Sequence, residues 1–287
     1  MQNDQKISDK HESRALAVSN QQSNDSPSLE TVSKSGPTRE NGSTILPVER
    51  LIDVIARLLA GVRHVAVGAS SPIPGSGALL ARALSERIPL EQLTRVSILG
   101  SKQHNAFTNG GVELFDMAAT GRIDAFFLGG GQIDGEGNIN LIGTGSYPKS
   151  EVRWPGSFGS AYLYHLVPRV ILFREEHSRR VFVPKVDFIS ASSIKRQADY
   201  RPGGPVALLT GLCLFRFDTP RRRFILQQIH PGHQLEEVRD HTGFDFDLAD
   251  DLVPTPDPTE ERLALIRNRV RHEIAETYPH FANQLSP

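Results

Sequence analysis

The sequence is poor in cysteine and carries almost no net charge. Its one cysteine, Cys213, cannot form an internal disulfide and is typical of a protein from a reducing compartment. The 32 basic and 33 acidic side chains leave a formal charge of −1. This argues against a general nucleic-acid binder, because such a protein needs a basic excess to meet phosphates. We therefore expect a cytoplasmic protein with no nucleic-acid partner.

Long hydrophobic runs are missing as well. No run approaches the roughly 20 apolar residues that span a bilayer. The longest, Val206–Phe215, contains Thr210 and Gly211 and is more typical of buried strands. The first 46 residues have no apolar stretch like that of a secretion signal, and their six acidic residues argue against a mitochondrial transit peptide. The sequence therefore predicts no association with a membrane.

Aromatic residues are absent before Phe107. Residues 1–46 hold nine serines and few large apolar side chains, so they cannot bury enough surface to offset the entropy cost of ordering. We predict a disordered polar tail over residues 1–46 and one folded α/β domain over residues 47–287. The predicted domain is formally neutral, because 27 basic and 27 acidic residues remain in it.

Strand and helix patterns alternate along the first half of this domain, which is typical of a parallel sheet with helices on its faces. In the second half, residues 205–217 and 223–229 predict paired antiparallel strands around the polar turn 218–222. We therefore expect an α/β fold: an open, mainly parallel sheet with flanking helices and antiparallel additions in the C-terminal half. The predicted helices are 47–59, 78–84, 112–119, 233–241 and 259–276; the other predicted strands are 64–68, 95–99, 125–128, 170–173, 181–183 and 186–189; a loop is predicted over 69–77.

The common catalytic and cofactor motifs are absent. No G-x-G-x-x-G opens a helix after a strand, so a nicotinamide or flavin Rossmann domain lacks its main support. The sequence also has no Walker A, H-E-x-x-H, C-x-x-C or G-x-S-x-G pattern. Its ten histidines are scattered, and a lone histidine is more often a surface or core residue than a ligand. We expect no metal site.

Two glycine-rich segments carry the functional signal that remains. The stronger, Gly129–Asn140, follows the predicted strand Ala125–Leu128 directly. Glycines at a strand end let a ligand or another backbone approach closely, and their N–H groups can face a phosphate or a thioester oxygen. The pairs Asp134-Gly135 and Gly137-Asn138 also suit tight turns, so ligand contact and turn formation stay open. The second segment, Trp154–Ser160, has the same ambiguity.

Several polar and aromatic side chains near these segments have two interpretations each. Asp134 either contacts a ligand or caps a turn, and Asn138 and Asn140 favour a turn-stabilising role. Further candidates are a structural pair between Lys185 and Asp187, an acyl pocket or a packed helix at Tyr162, Tyr164 and His165, and a carboxylate-binding role for Lys102 and His104.

The segment Gly129–Asn140 resembles the G-G-x-Q-[V/I]-D-x-x-G-N-[I/V]-N signature of the β subunits of family I coenzyme A transferases. The glutaconate CoA-transferase branch is similar, as are the CoA-ester hydrolase subunits of steroid-ring degradation. Gly156–Gly159 lies where the family has a glycine-rich loop. Arg180–Phe188 resembles R-x-F-V-x-K-[I/V]-D, and His230–Phe244 resembles the H-P-G and T-G-F elements of the C-terminal signature. The resemblance covers about residues 47–270.

The resemblance implies a CoA thioester as substrate, no bound cofactor and no metal. In that family a glutamate carboxylate attacks the thioester, and backbone N–H groups of glycine loops stabilise the oxyanion. It also implies an α-subunit CoA-transferase-like partner chain, in a heterodimer or a heterotetramer. The CoA- or substrate-binding residues that it implies are Gly129, Gly130, Gly131, Gln132, Asp134, Gly156, Ser157 and Gly159.

The sequence departs from the family at two positions. The family glutamate falls on Leu99 or Gly100, and Phe158 stands where a glycine is usual. The catalytic residue is therefore unknown. We expect either the β subunit of an acyl-CoA transferase or hydrolase whose α subunit supplies the carboxylate, or a non-catalytic structural or regulatory subunit. A sugar-phosphate isomerase would need an acid and a lysine around a phosphate loop, and the sequence does not pair them.

Overall fold

An eight-stranded sheet organises the residues that the computed structural model describes, which are 44–86, 93–107, 111–194 and 200–285. Residues 1–43 of the predicted tail lie outside them, so the tail and the domain boundary at residue 47 stay predictions. The helices are α1 Pro47–Leu58, α2 Pro72–Ser85, α3 Gly111–Ala119, α4 Ser160–Leu166, α5 Leu235–His241, α6 Glu260–Leu265, α7 Arg271–Ala275 and α8 Pro279–Ala282, with a π-helical turn Ile266–Val270 and a 3₁₀ turn Asn283–Leu285. The strands are β1 His64–Val67, β2 Arg95–Ile98, β3 Ala125–Leu128, β4 Gln132–Ile133, β5 Ile139–Asn140, β6 Gly143–Thr144, β7 Val152–Arg153, β8 Arg169–Arg174, β9 Pro205–Thr210, β10 Cys213–Asp218, β11 Arg223–Ile229 and β12 Asp247–Pro254.

The strand order of the large sheet is β12-β11-β10-β9-β8-β3-β1-β2. Within this order, the five neighbouring strands β9, β8, β3, β1 and β2 pair in parallel. Strand β10 pairs antiparallel with both β9 and β11, and β12 pairs in parallel with β11. The fold class expected from the sequence is confirmed: the sheet is mainly parallel, and its antiparallel strands lie in the C-terminal half.

Two hydrophobic cores cover the two faces of this sheet. Alternate strand residues point to opposite faces, so Val65 and Val67 pack with α1, α2 and the C-terminal helices, whereas Ala66 joins the core on the other side. The predicted C-terminal helix is confirmed, with the expected stripe Leu263, Ile266, Val270 and Ile274 buried. Its middle turn is π-helical.

The predicted loop at 69–77 is wrong from residue 72 onward, because α2 begins at Pro72. Proline is tolerated in the first helical turn, where its missing N–H has no partner to lose. Gly77 lies inside α2 against α1: a Cβ there would fall 2.2 Å from Cγ2 of Ile55. The glycine therefore serves a close helix–helix approach instead of a loop.

The predicted strands 181–183 and 186–189 are also wrong. This segment makes one isolated bridge, between Phe182 and Ile133. The N–H of Ile133 donates to Val181 O and the N–H of Val183 donates to Ile133 O. The next residue, Pro184, has no N–H with which to continue a ladder. The predicted strand 205–217 is divided into β9 and β10 at Gly211, and the antiparallel pairing of β10 with β11 is confirmed.

Candidate active site

The segment Gly129–Asn140 forms a hairpin at the carboxyl end of β3, and Asp134 closes its turn. The Asp134 carboxylate accepts the N–H groups of Glu136 at 3.1 Å and Asn138 at 3.0 Å, and the side-chain amide of Asn138 at 3.0 Å. Asp134 and Asn138 are buried. Of the two roles that the sequence left open for Asp134, these hydrogen bonds show the turn-capping one. They hold the hairpin in this shape.

Gln132 ties the base of this hairpin to the segment after β8. Its Oε1 accepts Nδ2 of Asn140 at 2.8 Å and the N–H of Asp187 at 3.0 Å. Its Nε2 donates to the Asp187 carboxylate at 3.0 Å. Asp187 also accepts the Gly145 N–H at 2.9 Å, so its partner is Gln132 and not the exposed Lys185. The Gln132 side chain is thus committed to holding the loop.

The three consecutive glycines have different environments. A Cβ on Gly130 would lie 2.8 Å from the carbonyl of Gln132, and one on Gly131 would lie 2.2 Å from the ring of Trp154. Gly129 is exposed, and a Cβ there would be 3.2 Å from the carbonyl of Phe173. Packing within the chain therefore requires glycine at 130 and 131, whereas Gly129 presents its backbone to the outside.

The second glycine segment lies beside the first, because its first residue, Trp154, packs against Gly131 of the first segment. Gly156 has a φ of +99° and Phe158 a φ of +44°, and the Phe158 side chain is 88% exposed. Gly159 leaves room for the Phe115 ring, since a Cβ there would lie 1.9 Å from it. The carbonyl of Ser157 accepts a hydrogen bond from the Ser160 N–H at 2.7 Å, at the start of α4.

The aromatic residues of α4 divide between packing and exposure. Tyr164 is fully buried and its hydroxyl donates to the Gly137 carbonyl at 2.6 Å. Burial, with the Asp134 carboxylate as a second cause, raises the pKa of Tyr164 well above its ordinary value. Tyr162 is 46% exposed, with its ring 5.7 Å from that of Phe115. The packed-helix interpretation therefore describes Tyr164, and Tyr162 belongs to an exposed aromatic group.

The end of β2, where the family glutamate would lie, holds a carboxylate from a distant part of the chain. The Ser101 hydroxyl donates to Glu276 at 2.6 Å, and the Lys102 N–H donates to it at 3.0 Å. The Ser101 and Lys102 hydrogen bonds, in that order, lower the pKa of Glu276 to about 2. The backbone N–H of Lys102 therefore binds a carboxylate, that of Glu276, within the chain itself. His104 lies near a different carboxylate, with its Nε2 3.8 Å from Glu273.

A cavity of about 430 Å³ opens at the carboxyl ends of β1, β3 and β8. Ligands of open α/β sheets bind at such strand ends. Among the predicted site residues, Gly129 lines this cavity. Sequence reasoning missed five other residues that line the cavity near strand ends: Ser70, Ser71, Arg174, Glu175 and Glu176. They could have been found by considering every residue at or just after the end of a parallel strand.

A buried histidine, His177, directly follows the cavity-lining residue Glu176 in the sequence. His177 places Nδ1 2.8 Å from the Thr210 hydroxyl and Nε2 2.9 Å from the Thr242 hydroxyl. Burial, followed by the nearby histidines, lowers the pKa of His177 to about 3. Burial also raises the pKa of the Cys213 thiol, which lies 3.8 Å from Nδ1. The neutral imidazole links the end of β8 to β9 and α5.

Neither a membrane-spanning helix nor a metal cluster occurs in the described part of the chain. Within it, no helix is both long and apolar enough to cross a bilayer. Likewise, residues 44–86, 93–107, 111–194 and 200–285 contain no group of three or more His, Cys, Asp or Glu side chains that could hold a metal ion.

Known proteins resemble this chain in sequence and in structure. It is 37% identical over 153 residues to the β subunit of 3-oxoadipate CoA-transferase from Pseudomonas knackmussii, covering 51% of the chain and 58% of the relative. It is 30% identical over 156 residues to the β subunit of glutaconate CoA-transferase from Acidaminococcus fermentans, covering 52% and 56%. The chain thus spans less than two thirds of these curated relatives. The crystal structure of Rhodococcus jostii RHA1 IpdAB superposes with a TM-score of 0.67 and 26% identity, over 78% of this chain and 94% of that one.

The family assignment rests on a longer stretch than any single motif. The family model described as Coenzyme A transferase matches residues 77–241, which include most of α2, the hairpin at the end of β3, the cavity-lining end of β8 and all of α5. The sequence signature, the strand order and the two β-subunit relatives agree with that match. The chain belongs to the coenzyme A transferase family.

Proposed function

We propose that this chain is the β subunit of a heteromeric enzyme that acts on acyl-CoA thioesters, together with a separate CoA-transferase-like α chain. The observation that carries the proposal is the internally hydrogen-bonded glycine hairpin at the carboxyl end of β3, whose exposed Gly129 borders a cavity. The names of the two relatives, each the β subunit of a CoA-transferase, support the partner chain. The thioester is the substrate in this proposal, and no bound cofactor takes part.

The hairpin's role is to present backbone to the reacting carbonyl. Preorganised N–H groups stabilise the negative charge that develops on a thioester oxygen under attack. Gln132 and Asp134 act indirectly, because their side chains are engaged within the chain. Gly130 and Gly131 keep the loop tight, and Gly156, Ser157 and Gly159 shape the adjoining segment. Gly129 is the residue of this set that we place nearest the substrate.

The attacking carboxylate comes from the α chain in this proposal. The end of β2 carries Leu99 and Gly100, neither of which is a nucleophile. Glu276 reaches this end, but two hydrogen bonds from Ser101 and Lys102 stabilise its charge. A carboxylate stabilised in this way is a weak base and a weak nucleophile. With the carboxylate in the α chain, the complex either transfers CoA to a second acid or hydrolyses the thioester.

Reconstitution tests the proposal. The full chain is purified alone, the α-like chain is purified alone, and CoA release from acyl-CoA is measured for each and for their mixture. We expect turnover in the mixture only. A Gly129→Val variant that folds and assembles normally should lower kcat, because its side chain meets the Phe173 carbonyl and crowds the cavity. Turnover by this chain alone would overturn the proposal.

A second candidate function is a structural or regulatory subunit, which the absence of a carboxylate at Leu99 and Gly100 favours. Acyl-CoA binding to the assembled complex separates the two functions. A catalytic β subunit should change acyl-CoA affinity or kcat when Gly129 is replaced by valine. A purely structural subunit should leave both unchanged while still being required for assembly.

A further inference from the structure

Helices α3 and α4 both begin at the edge of the sheet where the candidate site lies. Helix α3 leads into β3 and α4 leads into β8, and the strands β2, β1, β3 and β8 run in parallel. A helix that connects parallel strands must return from their carboxyl ends to their amino ends. The starts of α3 and α4 therefore lie at the carboxyl edge of the sheet, as Gly129 and the cavity do.

An aromatic surface, which we define as Val112, Phe115, Phe158 and Tyr162, lies at these two helix starts. Phe158 is 88% exposed, Val112 57% and Tyr162 46%. The Phe115 ring joins the other two rings, with its centroid 5.6 Å from that of Phe158 and 5.7 Å from that of Tyr162. Gly111 leaves room for this packing, since a Cβ there would lie 3.2 Å from Cζ of Phe158. The exposed side chains are therefore neighbours.

Phe158 keeps its exposed ring at a cost to the backbone. Its φ of +44° is unfavourable for a residue with a Cβ, and the exposed ring recovers little of that cost by burial within this chain. Strained residues of this kind are concentrated at functional sites, and aromatic side chains are enriched in protein interfaces. Phe158 is therefore placed for a contact with another molecule.

The N-terminal part of the same chain is a poor cover for this surface. Residues 1–46 contain no aromatic residue and few large apolar ones. Proteins that act as monomers rarely leave a contiguous apolar patch of more than a few hundred Å² exposed, and such patches mark interaction sites. An apolar surface on a partner chain fits the aromatic surface better.

The aromatic surface lies close to the hairpin that the α chain must reach in the proposed function. Trp154 packs against Gly131 of that hairpin and precedes Phe158 by four residues, which span at most about 14 Å. A standard protein interface covers about 800 Å² on each partner, a patch roughly 30 Å across. A chain that brings its carboxylate to the hairpin therefore also covers Phe158.

We propose that the aromatic surface is the docking site for the α chain and that Phe158 is its anchor. The Phe158 ring enters an apolar pocket of the α chain, while Tyr162 and Val112 exclude water around it. Interface anchors are typically aromatic side chains surrounded by weaker contacts. This inference rests on the proposed function, since it assigns the surface that meets the α chain of that complex. Phe158 is an anchoring residue and not a catalytic one.

Affinity for the α-like chain tests the anchor. The dissociation constant between the purified full chain and the purified α-like chain is measured by sedimentation velocity. Phe158→Gly should weaken association about tenfold or more, as truncation of an interface anchor does. Phe158→Tyr keeps a ring at this position and should retain most of the affinity. Thermal unfolding of each isolated variant checks its folding, and glycine should not lower the Tm because it relieves the backbone.

Leu248→Ala is the matched control, because Leu248 is an apolar side chain that is 40% exposed on β12. Strand β12 lies five positions from β3 in the sheet order, or about 24 Å at the usual spacing of strands. This variant should bind the α-like chain as tightly as the unmodified protein does. A loss of affinity equal to that of Phe158→Gly would overturn the assignment to the aromatic surface.

Photo-crosslinking identifies what covers the aromatic surface. With p-benzoylphenylalanine at position 158, irradiation of the mixture should link this chain to the α-like chain, whereas the same group at position 248 should not. Mass spectrometry locates the link. A link from position 158 to a second copy of this chain, or to residues 1–46, overturns the docking of the α chain at this surface.

CoA release from acyl-CoA, measured on the same mixtures, separates this inference from the proposed function. If the unmodified chains associate and Phe158→Gly binds equally well, the docking surface is wrong and the proposed function stands. If the chains associate through position 158 but release no CoA, the proposed function fails and the docking surface stands. If the unmodified chains do not associate, both are overturned.

Discussion

The carboxylate of Glu276 accepts a hydrogen bond from the Ser101 hydroxyl at 2.6 Å, although 175 positions separate the two residues. The bond joins the C-terminal helical segment to the end of β2. It places an acidic side chain beside the position that the family glutamate would occupy, without an acidic residue in that part of the sequence. The contact is therefore a structural link at the edge of the candidate site.

Replacing Glu276 by glutamine should lower the free energy of unfolding at pH 7 by about 1 kcal/mol, because the charged acceptor of two hydrogen bonds is lost while solvent screens part of the effect. The folded pKa of Glu276, about 2, lies below its ordinary 4.5. The stability that it contributes is therefore complete above pH 4.5 and lost as the pH falls toward 2. Urea unfolding at pH 7 and pH 3 should show a smaller difference from the unmodified protein at pH 3.

The double variant of Glu276→Gln and Ser101→Ala provides the internal control for this contact. If the two side chains act through their shared hydrogen bond, the combined loss should be smaller than the sum of the single losses. Additive losses would contradict the coupling.

Gly131→Ala should destabilise the protein by about 1–3 kcal/mol, as overpacked cores do. The added Cβ would lie 2.2 Å from the Trp154 ring, so the hairpin or the indole must move. Gly68→Ala is the comparison, because a Cβ there meets nothing nearer than Ser71 Oγ at 3.9 Å. Thermal unfolding should show a clearly lower Tm for the first variant, and equal Tm values would refute the packing argument.

Phe158→Gly should leave the free energy of unfolding unchanged or raise it by up to about 1 kcal/mol, because glycine adopts a left-handed backbone without steric cost. Phe158 has a φ of +44° and is 88% exposed, so the ring contributes little buried area. Phe158→Ala keeps the backbone cost and loses the contact with Phe115. Chemical denaturation should therefore rank glycine above alanine, and the reverse order would contradict the backbone explanation.

The stability of the protein should fall between pH 6.5 and pH 4.5, with His177 as a main cause. The folded pKa of His177, about 3, lies below its ordinary 6.5, so the unfolded chain binds the proton first as the pH falls. The contribution is complete above pH 6.5 and is lost as the pH falls toward 3, at about 2–3 kcal/mol by pH 4.5.

His177→Gln isolates this effect, because an amide can still bond to Thr210 and Thr242 but does not titrate. Urea unfolding at pH 7.5, 5.5 and 4.5 should give a shallower pH dependence for the variant. The remaining slope should come partly from His230, whose pKa burial lowers to about 4. An identical slope in the variant and the unmodified protein would exclude His177 as a contributor.

The local sequence pattern predicted a helix or strand well where the residues of that element are enough to define it. Helix α1 follows from apolar spacing after Pro47, and β3 follows from a short apolar run that ends in glycine. The pattern failed at α2, where Pro72 and Gly77 are typical of a loop, but Pro72 begins the helix and Gly77 packs against α1. It also failed over residues 181–189, because β propensity does not show whether a neighbouring strand is within reach.

The sequence by itself determined the family, the mainly parallel α/β fold and the glycine-rich segment Gly129–Asn140 at the end of a strand. Each of these depends on residues that are contiguous or regularly spaced, so the chain order records them. The tertiary structure decided that Gly131 is needed by Trp154, and that Glu276 lies at the end of β2. It also placed Glu175 at the rim of a cavity that Gly129 borders. Those relationships join residues far apart in the chain, and only the strand order and the packing of helices on the sheet bring them together.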